Sequence, residues 1–451
     1  MRRNRRDQPS FNEPWLPAEH ARELAAIGEV LDENPRCGEL VEQDLAMARQ
    51  RRGRRWSAGG LSGEQVLRCA ILKQLNGFSL RELAFHLADS RTYQTFCRLG
   101  WAATAPSKSA LAAGIKALRA ETLEQVHRLL LATAAERRVE SGRKVRVDST
   151  VVPSPVHWPS DSGLLWDGVR VLTRLMVRAR LLLGERCPFF AKRLRRAKRR
   201  HLAAANAKTR RERRDAAYRD LLRVADEVVG WADQVHAALS RETTAEAAAL
   251  AAELARFLPR VRQVIDQTRR RVLDGETVPA DQKIVSLFEE HTDIIRKDGR
   301  DTYYGHKIFL TSGASALVLD CQILRGNPAD SSRAVPMIDR QAELYGRPPR
   351  QAVFDGAFAS IDNLIRLKDL GLTDVAFSKR RGLAVSEMAR SPWIYRRLRN
   401  FRAGIESTVS WLKRVFGLDR CTWRSYASFQ SYVWTAVLSH NLLLLARQAL
   451  A

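Results

Sequence analysis

RQAVFDGAFAS, residues 350–360, is the stretch on which the fold turns. Gln351 to Phe354 make a short apolar run, and Asp355-Gly356 breaks it, so the segment reads as a buried strand with Asp355 at its carboxyl end. Upstream, DTYYGHKIFLTSG (301–313) and ASALVLDCQILRG (314–326) alternate and predict a hairpin over a Gly-Ala-Ser turn. NPADSSRAVPMIDRQAELYG (327–346) follows as a capped helix, in which Asp330 is a candidate cap. Downstream come a helix in IDNLIRLKDLGL (361–372) and a strand in TDVAFSKRR (373–381). Far upstream, SGRKVRVDSTVV (141–152) also alternates and carries Asp148 on a half-buried strand. The order of strand, hairpin, helix, strand, helix, strand and helix predicts an α/β fold, and in such sheets functional groups gather where strands end.

A third acid completes a set. FRAGIESTVSWLKRVFGL (401–418) places Ile405, Val409, Leu412 and Phe416 on one stripe of a helix. At about 100° per residue, Arg402, Glu406 and Lys413 fall on the strip beside it. Taken alone, Arg402 and Glu406 are an ordinary surface pair at i,i+4, worth a few tenths of a kcal/mol. Together with Asp148 and Asp355, Glu406 makes a set suited to hard divalent cations such as Mg2+, with Mn2+ as substitute. Cutting a phosphodiester without a covalent intermediate calls for one ion to activate the nucleophile and another to stabilise the leaving oxygen. Asp148 would bridge two ions, Asp355 would hold one and Glu406 the other, with Arg402 and Lys413 facing phosphate.

The flanking regions are helical. LSGEQVLRCAILKQLNGFSLRELAFHLADSRTYQTFCRLG (61–100) predicts two short helices broken at Gly77 and restarted by a capping box of Ser79 and Glu82. A further start at Ser107, Lys108 and Ser109 could approach a phosphate, so a helix-turn-helix module and a plain helical bundle both fit. HWPSDSGLLWDGVRVLTRL (157–175) turns helical with Asp161 or its flanking serines placed as an N-cap, and Asp161 suits that duty better than a fourth metal ligand. From about Leu164 to Leu273 a long helical stretch turns near Ser240, predicting a helical hairpin. Its run Lys192, Arg193, Arg195, Arg196, Lys198, Arg199 and Arg200 is the best phosphate-contact candidate, because acid is nearly missing until Asp215. CTWRSYASFQSYVWTAVLSHNLLLLARQ (421–448) reads as a helix packed on the core.

Composition narrows the function. The 451 residues carry a net charge of +26, the footprint of a polyanion binder. No run of about 18 uninterrupted apolar residues exists, even LLWDGVRVLTRLMVRARLLLG being broken by arginines, which excludes a spanning helix, and MRRNRRDQPS lacks the apolar segment of a secretory signal. Six scattered cysteines, without any CxxC or Cys/His cluster, argue against zinc and disulfide frameworks and fit a cytoplasmic setting.

These blocks, in order, resemble the DDE transposases of bacterial insertion sequences, and among them the ISNCY-like group. The resemblance rests on VDST around Asp148, HWPSDSGLLWDGVRVL, YGHK at 304–307, GNPADS, FDGAFAS and FRAGIESTVSWLKRVFGL, and it covers most of the chain. It implies a ribonuclease-H-like catalytic core, a mixed sheet flanked by helices, with Asp148, Asp355 and Glu406 as catalytic and metal-binding residues and two Mg2+ ions. It implies double-stranded DNA partners, namely insertion-sequence ends and target, and a homodimer when ends are bound. Arg402, Glu406 and Lys413 match three letters of the family's YREK signature, but Arg399 stands where its tyrosine belongs. His306 and Lys307 lie in the YGHK block, where a strand histidine is more often a satisfied core group. The expected division is a helix-turn-helix-like region over 1–140, the first part of the core over 141–163, a basic insertion over 164–280, the remaining core over 281–420 and a C-terminal helix over 421–451. The expected reactions are strand cleavage at inverted repeats and transfer to target DNA, in a cytoplasmic, nucleoid-associated enzyme. Two competitors are a ribonuclease-H-like nuclease without joining and a transposase-derived DNA-binding protein without catalysis.

Overall fold

A computed structural model describes residues 19–52, 60–100, 104–207, 210–297 and 301–451. The chain divides into two compact units, one of Met1–Pro153 with Lys307–Ala451 and one of Ser154–His306. Along the chain the elements are α1 (Glu19–Glu33), α2 (Arg36–Arg52), α3 (Gly63–Leu75), α4 (Leu80–Asp89), α5 (Arg91–Phe96), α6 (Lys108–Ile115), α7 (Ala120–Glu136) and β1 (Lys144–Pro153). The second unit holds α8 (Asp161–Leu183), α9 (Leu194–Asn206), α10 (Arg211–Leu239), α11 (Ala245–Thr268) and β2 (Asp293–Lys297). After β3 (Asp301–Ser312) come β4 (Val318–Leu324), α12 (Ala334–Tyr345), β5 (Gln351–Phe354), α13 (Ile361–Asp369), β6 (Asp374–Phe377), α14 (Val385–Met388), α15 (Pro392–Arg414) and α16 (Tyr426–Leu450).

The sheet of the first unit runs β4-β3-β1-β5-β6. β3 and β4 pair antiparallel, while β5 lies parallel to β1 and β6 parallel to β5. This is a mixed α/β sheet flanked by helices in a mostly helical chain. The hairpin, the helix after it and the strand before Asp355 stand where the sequence puts them. The sequence reading did not anticipate α1, α2 or β2, and α15 begins nine residues before Phe401, where that reading opened it.

Sheet and N-terminal helices share one apolar core that runs from Leu24 through Phe309 and Phe354 to Leu445. α16 is its hub, packed on α1, α3, α7 and β4. Ser431 Oγ donates to Leu118 O at 2.7 Å, and Asn441 both accepts from Val318 N (2.9 Å) and donates to Val318 O (2.7 Å), capping the start of β4. The Ser79–Glu82 capping box is present, and a second one at Ser62 and Gln65 starts α3. Gly77 takes φ +65°, the left-handed region in which a side chain is strained, so the α3–α4 turn needs glycine.

The second unit has its own core, from Leu164 to Leu287. Ser240 caps the end of α10 and marks the expected turn, but α8 and α9 also pack on α10, so the insertion is four helices rather than a hairpin alone. Of the expected candidates, Asp161 and its flanking serines, Ser160 is the N-cap of α8. Asp161 instead pairs with Arg271 at 2.9 Å. His306 is fully buried and hydrogen-bonded to His291 (2.7 Å) and Asp293 (2.8 Å), a satisfied core histidine. All six cysteines are free thiols, and no described helix is long and apolar enough to cross a membrane.

Candidate active site

Strand register builds the site. The β1–β5 ladder pairs Val147 with Phe354, and the β5–β6 ladder pairs Phe354 with Phe377. The next residues on these three parallel strands are Asp148, Asp355 and Ser378. All three therefore stand in one row at the carboxyl end of the ladder. β1 itself runs on to Pro153, so Asp148 lies within its strand rather than ending it; β1 keeps a neighbour in β3 on its other side. Ser378 Oγ donates to Asp355 Oδ1 at 2.9 Å, and Ser149 N donates to Asp148 Oδ1 at 2.7 Å.

The third acid comes from α15, which Ser391 caps and Pro392 opens. Its inner stripe, Tyr395, Leu398, Ile405 and Leu412, is buried, and the helix packs on β1, β5 and β6. Arg402 falls in that stripe between Leu398 and Ile405, one position further inward than the helical angle alone suggested. Lys144, Arg146 and Asp148 share one face of β1 by the two-residue period. Arg146 Nη1 donates to Phe401 O at 3.1 Å, with the Phe401 ring 4.7 Å from its guanidinium and 4.3 Å from Lys144 Nζ. Gly404 permits this contact, because a Cβ there would stand 1.9 Å from Arg146 Nη1.

Arg402 thereby meets all three acids. Its Nη2 lies 3.0 Å from Asp148 Oδ2 and 3.0 Å from Asp355 Oδ1, and its Nη1 donates to Glu406 Oε1 at 2.7 Å. Arg402 and Asp148 are largely buried, whereas the Glu406 side chain is 65% exposed at the rim. Burial disfavours the charged form of Asp355, yet the Ser378 hydroxyl, the Gly356 and Ala357 amides and the Arg402 charge outweigh it and hold its carboxyl below the usual range. For Arg402, burial works against its charge but the three carboxylates prevail and raise its pKa.

Lys413 lies about two turns beyond Glu406 on α15 and is half-buried. Arg399 is exposed, and its guanidinium sits 6.0 Å from the ring of Tyr395, whose hydroxyl donates to Phe377 O at 3.0 Å. Asp330 opens a short 3-10 turn, accepts from Ser149 Oγ at 3.1 Å and pairs with Lys307. In the second unit, the basic run divides along α9. Arg193 pairs with Glu227, and Arg196 and Arg200 both pair with Asp220, while Lys192, Arg195, Lys198 and Arg199 are exposed.

Ser378, Arg146 and Gly404 escaped the sequence reading. The two-residue repeat Lys144, Arg146, Asp148 was the available signal for Arg146. Gly356 belongs with them: a Cβ there would stand 2.7 Å from Lys379 Cβ, so this glycine lets the strand-end loops pack.

Among the described residues, no group of three or more His, Cys, Asp or Glu side chains converges so as to hold a metal ion. Asp148, Asp355 and Glu406 surround the Arg402 guanidinium instead of a common point. The donors nonetheless suit a hard cation, being carboxylates that already enclose a positive charge.

No curated protein and no solved structure matches the chain. Residues 265–442 match the family model described as the transposase DDE domain, a span that includes Asp355, Arg402 and Glu406 and begins after Asp148. The strand register and the shared guanidinium join Asp148 to the matched part. Over residues 265–442 the chain is thus similar to the transposase DDE domain.

Proposed function

We propose that this protein binds the terminal inverted repeats of an insertion sequence, cleaves DNA strands there and joins them to target DNA. The observation that carries this reading is the meeting of Asp148, Asp355 and Glu406 on Arg402 at the strand ends, in a chain whose residues 265–442 match the transposase DDE domain. The sheet order β4-β3-β1-β5-β6, antiparallel on one side and parallel on the other, supports a ribonuclease-H-like core. Asp148, Asp355 and Glu406 would hold divalent metal, Mg2+ or Mn2+, which supplies Lewis-acid activation of a hydroxyl and charge stabilisation at the leaving oxygen. Ser378 orients Asp355 and, with its other partners, helps hold its carboxyl below the usual range. Lys413 and the exposed Lys192, Arg195, Lys198 and Arg199 would neutralise DNA phosphates, and Arg193, Arg196 and Arg200 fix α9 to the acids of α10. The helices around Gly77 would contribute DNA contacts, and two DNA ends would be served by two copies of the chain.

The test is cleavage and joining with the DNA that flanks the coding gene, in Mg2+ or Mn2+. Nicks at the repeat tips and joined products are expected, and Asp355→Asn or Glu406→Gln should remove both. Nicks without joining would point to a nuclease. Binding that ignores both metal and Asp148→Ala, without any nicking, would leave only a DNA-binding protein.

A further inference from the structure

Arg402 does something a phosphate-binding arginine need not do: it occupies the centre of the acid set. Three carboxylates against one guanidinium leave the cluster at a formal charge of −2, which still attracts a divalent cation. The oxygens such a cation would take are those Arg402 holds, Asp148 Oδ2, Asp355 Oδ1 and Glu406 Oε1. A second observation concerns the same side chain. Its Nε is buried without a hydrogen-bond acceptor among the described residues, so the guanidinium forgoes part of the fork by which arginine binds most firmly.

We propose that Arg402 is a resident counter-cation, which keeps the three carboxylates gathered before metal arrives and competes with divalent metal for their oxygens. This rests on the metal-binding reading of the site given above. A guanidinium in that place screens the mutual repulsion of the acids, which otherwise would push Glu406 outward from its exposed rim position. Metal entry then requires Arg402 to withdraw. The site would pass from one cation to another without ever standing as three bare anions.

A role for Arg402 as a prop that shapes the metal site predicts the opposite sign, and direct binding separates the two. The probe is Mn2+ alone, titrated into the full chain without DNA and followed by electron paramagnetic resonance. Arg402→Gln is expected to bind Mn2+ about tenfold more tightly than wild type, the order expected when a charge-assisted hydrogen-bonded competitor leaves. In EDTA the same variant should melt below wild type, and Mn2+ should raise its Tm by more than it raises that of wild type. Equal or weaker Mn2+ binding by Arg402→Gln would overturn the proposal. If that variant does not fold, Arg402→Lys decides, because it keeps the charge but loses the planar fork: tighter Mn2+ binding by a smaller factor supports competition, and unchanged or weaker binding refutes it. Asp355→Asn is the control for the underlying reading. If it leaves Mn2+ binding untouched, the acids are not the metal site and that reading fails; if it abolishes binding while Arg402→Gln gains nothing, only the competition fails.

Discussion

Gly404→Ala sets two estimates of opposite sign against each other. In a helix interior, replacing glycine by alanine stabilises by about 1 kcal/mol. Here the new Cβ would stand 1.9 Å from Arg146 Nη1 and 2.7 Å from Cζ, so the guanidinium must move. Arg146 is 6% exposed and has little room to retreat. Its Nη1 donates to Phe401 O at 3.1 Å and its Nε to Ser312 Oγ at 3.4 Å. Overpacking costs about 1–3 kcal/mol, and breaking the bond of a buried charged donor costs about 1.5–3 kcal/mol. After the helical gain, a net loss of about 1.5–5 kcal/mol remains. Hydrogen exchange read on α15 peptides should show the helix opening more readily by that amount, with α10 of the separate second core as internal reference. Adding Arg146→Ala removes the obstacle, so Gly404→Ala should cost at least about 1 kcal/mol less in that background. Stabilisation, or no change, by Gly404→Ala in the wild-type background would refute the reasoning.

Other consequences can be checked alongside. Burial against Trp411 and Phe416 pushes His440 down to about 4 from an ordinary 6.5. Its folded pKa is depressed, so the unfolded chain binds the extra proton first, and stability falls as pH drops from 6.5 to 4. His440→Gln should flatten that limb by about 3 kcal/mol in acid unfolding titrations. Ser378→Ala removes one donor to Asp355 and should let its pKa climb, moving the acid limb of the cleavage profile upward; with the carboxylate 36% exposed, the shift should be under about one pH unit. Asp161→Asn loses the Arg271 pair and should cost about 1 kcal/mol while leaving cleavage intact. A loss of cleavage as deep as that of Asp355→Asn would instead make Asp161 a member of the acid set.

Local signals carried much of the fold. Asp355 after an apolar run, the hairpin over Gly313, the Ser79–Glu82 box and the stripe of Ile405 and Leu412 depend on neighbours within a few residues, and they stand as read. What escaped depends on pairing at a distance. Ser378 looked like the tail of a strand, and only the register of three strands sets it beside Asp355. Arg402 looked like a marginal residue because PWIYRRLRNF, rich in arginine and opened by proline, hid the first turns of α15, and with them the Tyr395-Leu398-Arg402-Ile405 stripe. The basic run of α9 looked uncompensated because its acids, Asp220 and Glu227, lie on the next helix. β2 is five residues with charges at its start and end, too short for its alternation to register.

α16 has a consequence for the order of events during synthesis. Ser431, Asn441 and Arg447 reach back 313, 123 and 424 residues for Leu118, Val318 and Glu23. Asp148, Asp355 and Glu406 are all synthesised before this helix is complete, and the parts of α1, α3 and α7 that it covers stay open until it docks. Closing such long loops is slow, and the waiting surfaces invite aggregation. The second unit, with a core drawn only from its own residues, can mature during that wait. A nascent chain thus carries every acid of the site before it owns a settled fold, and the setting of those acids is timed by the arrival of an ordinary buried helix.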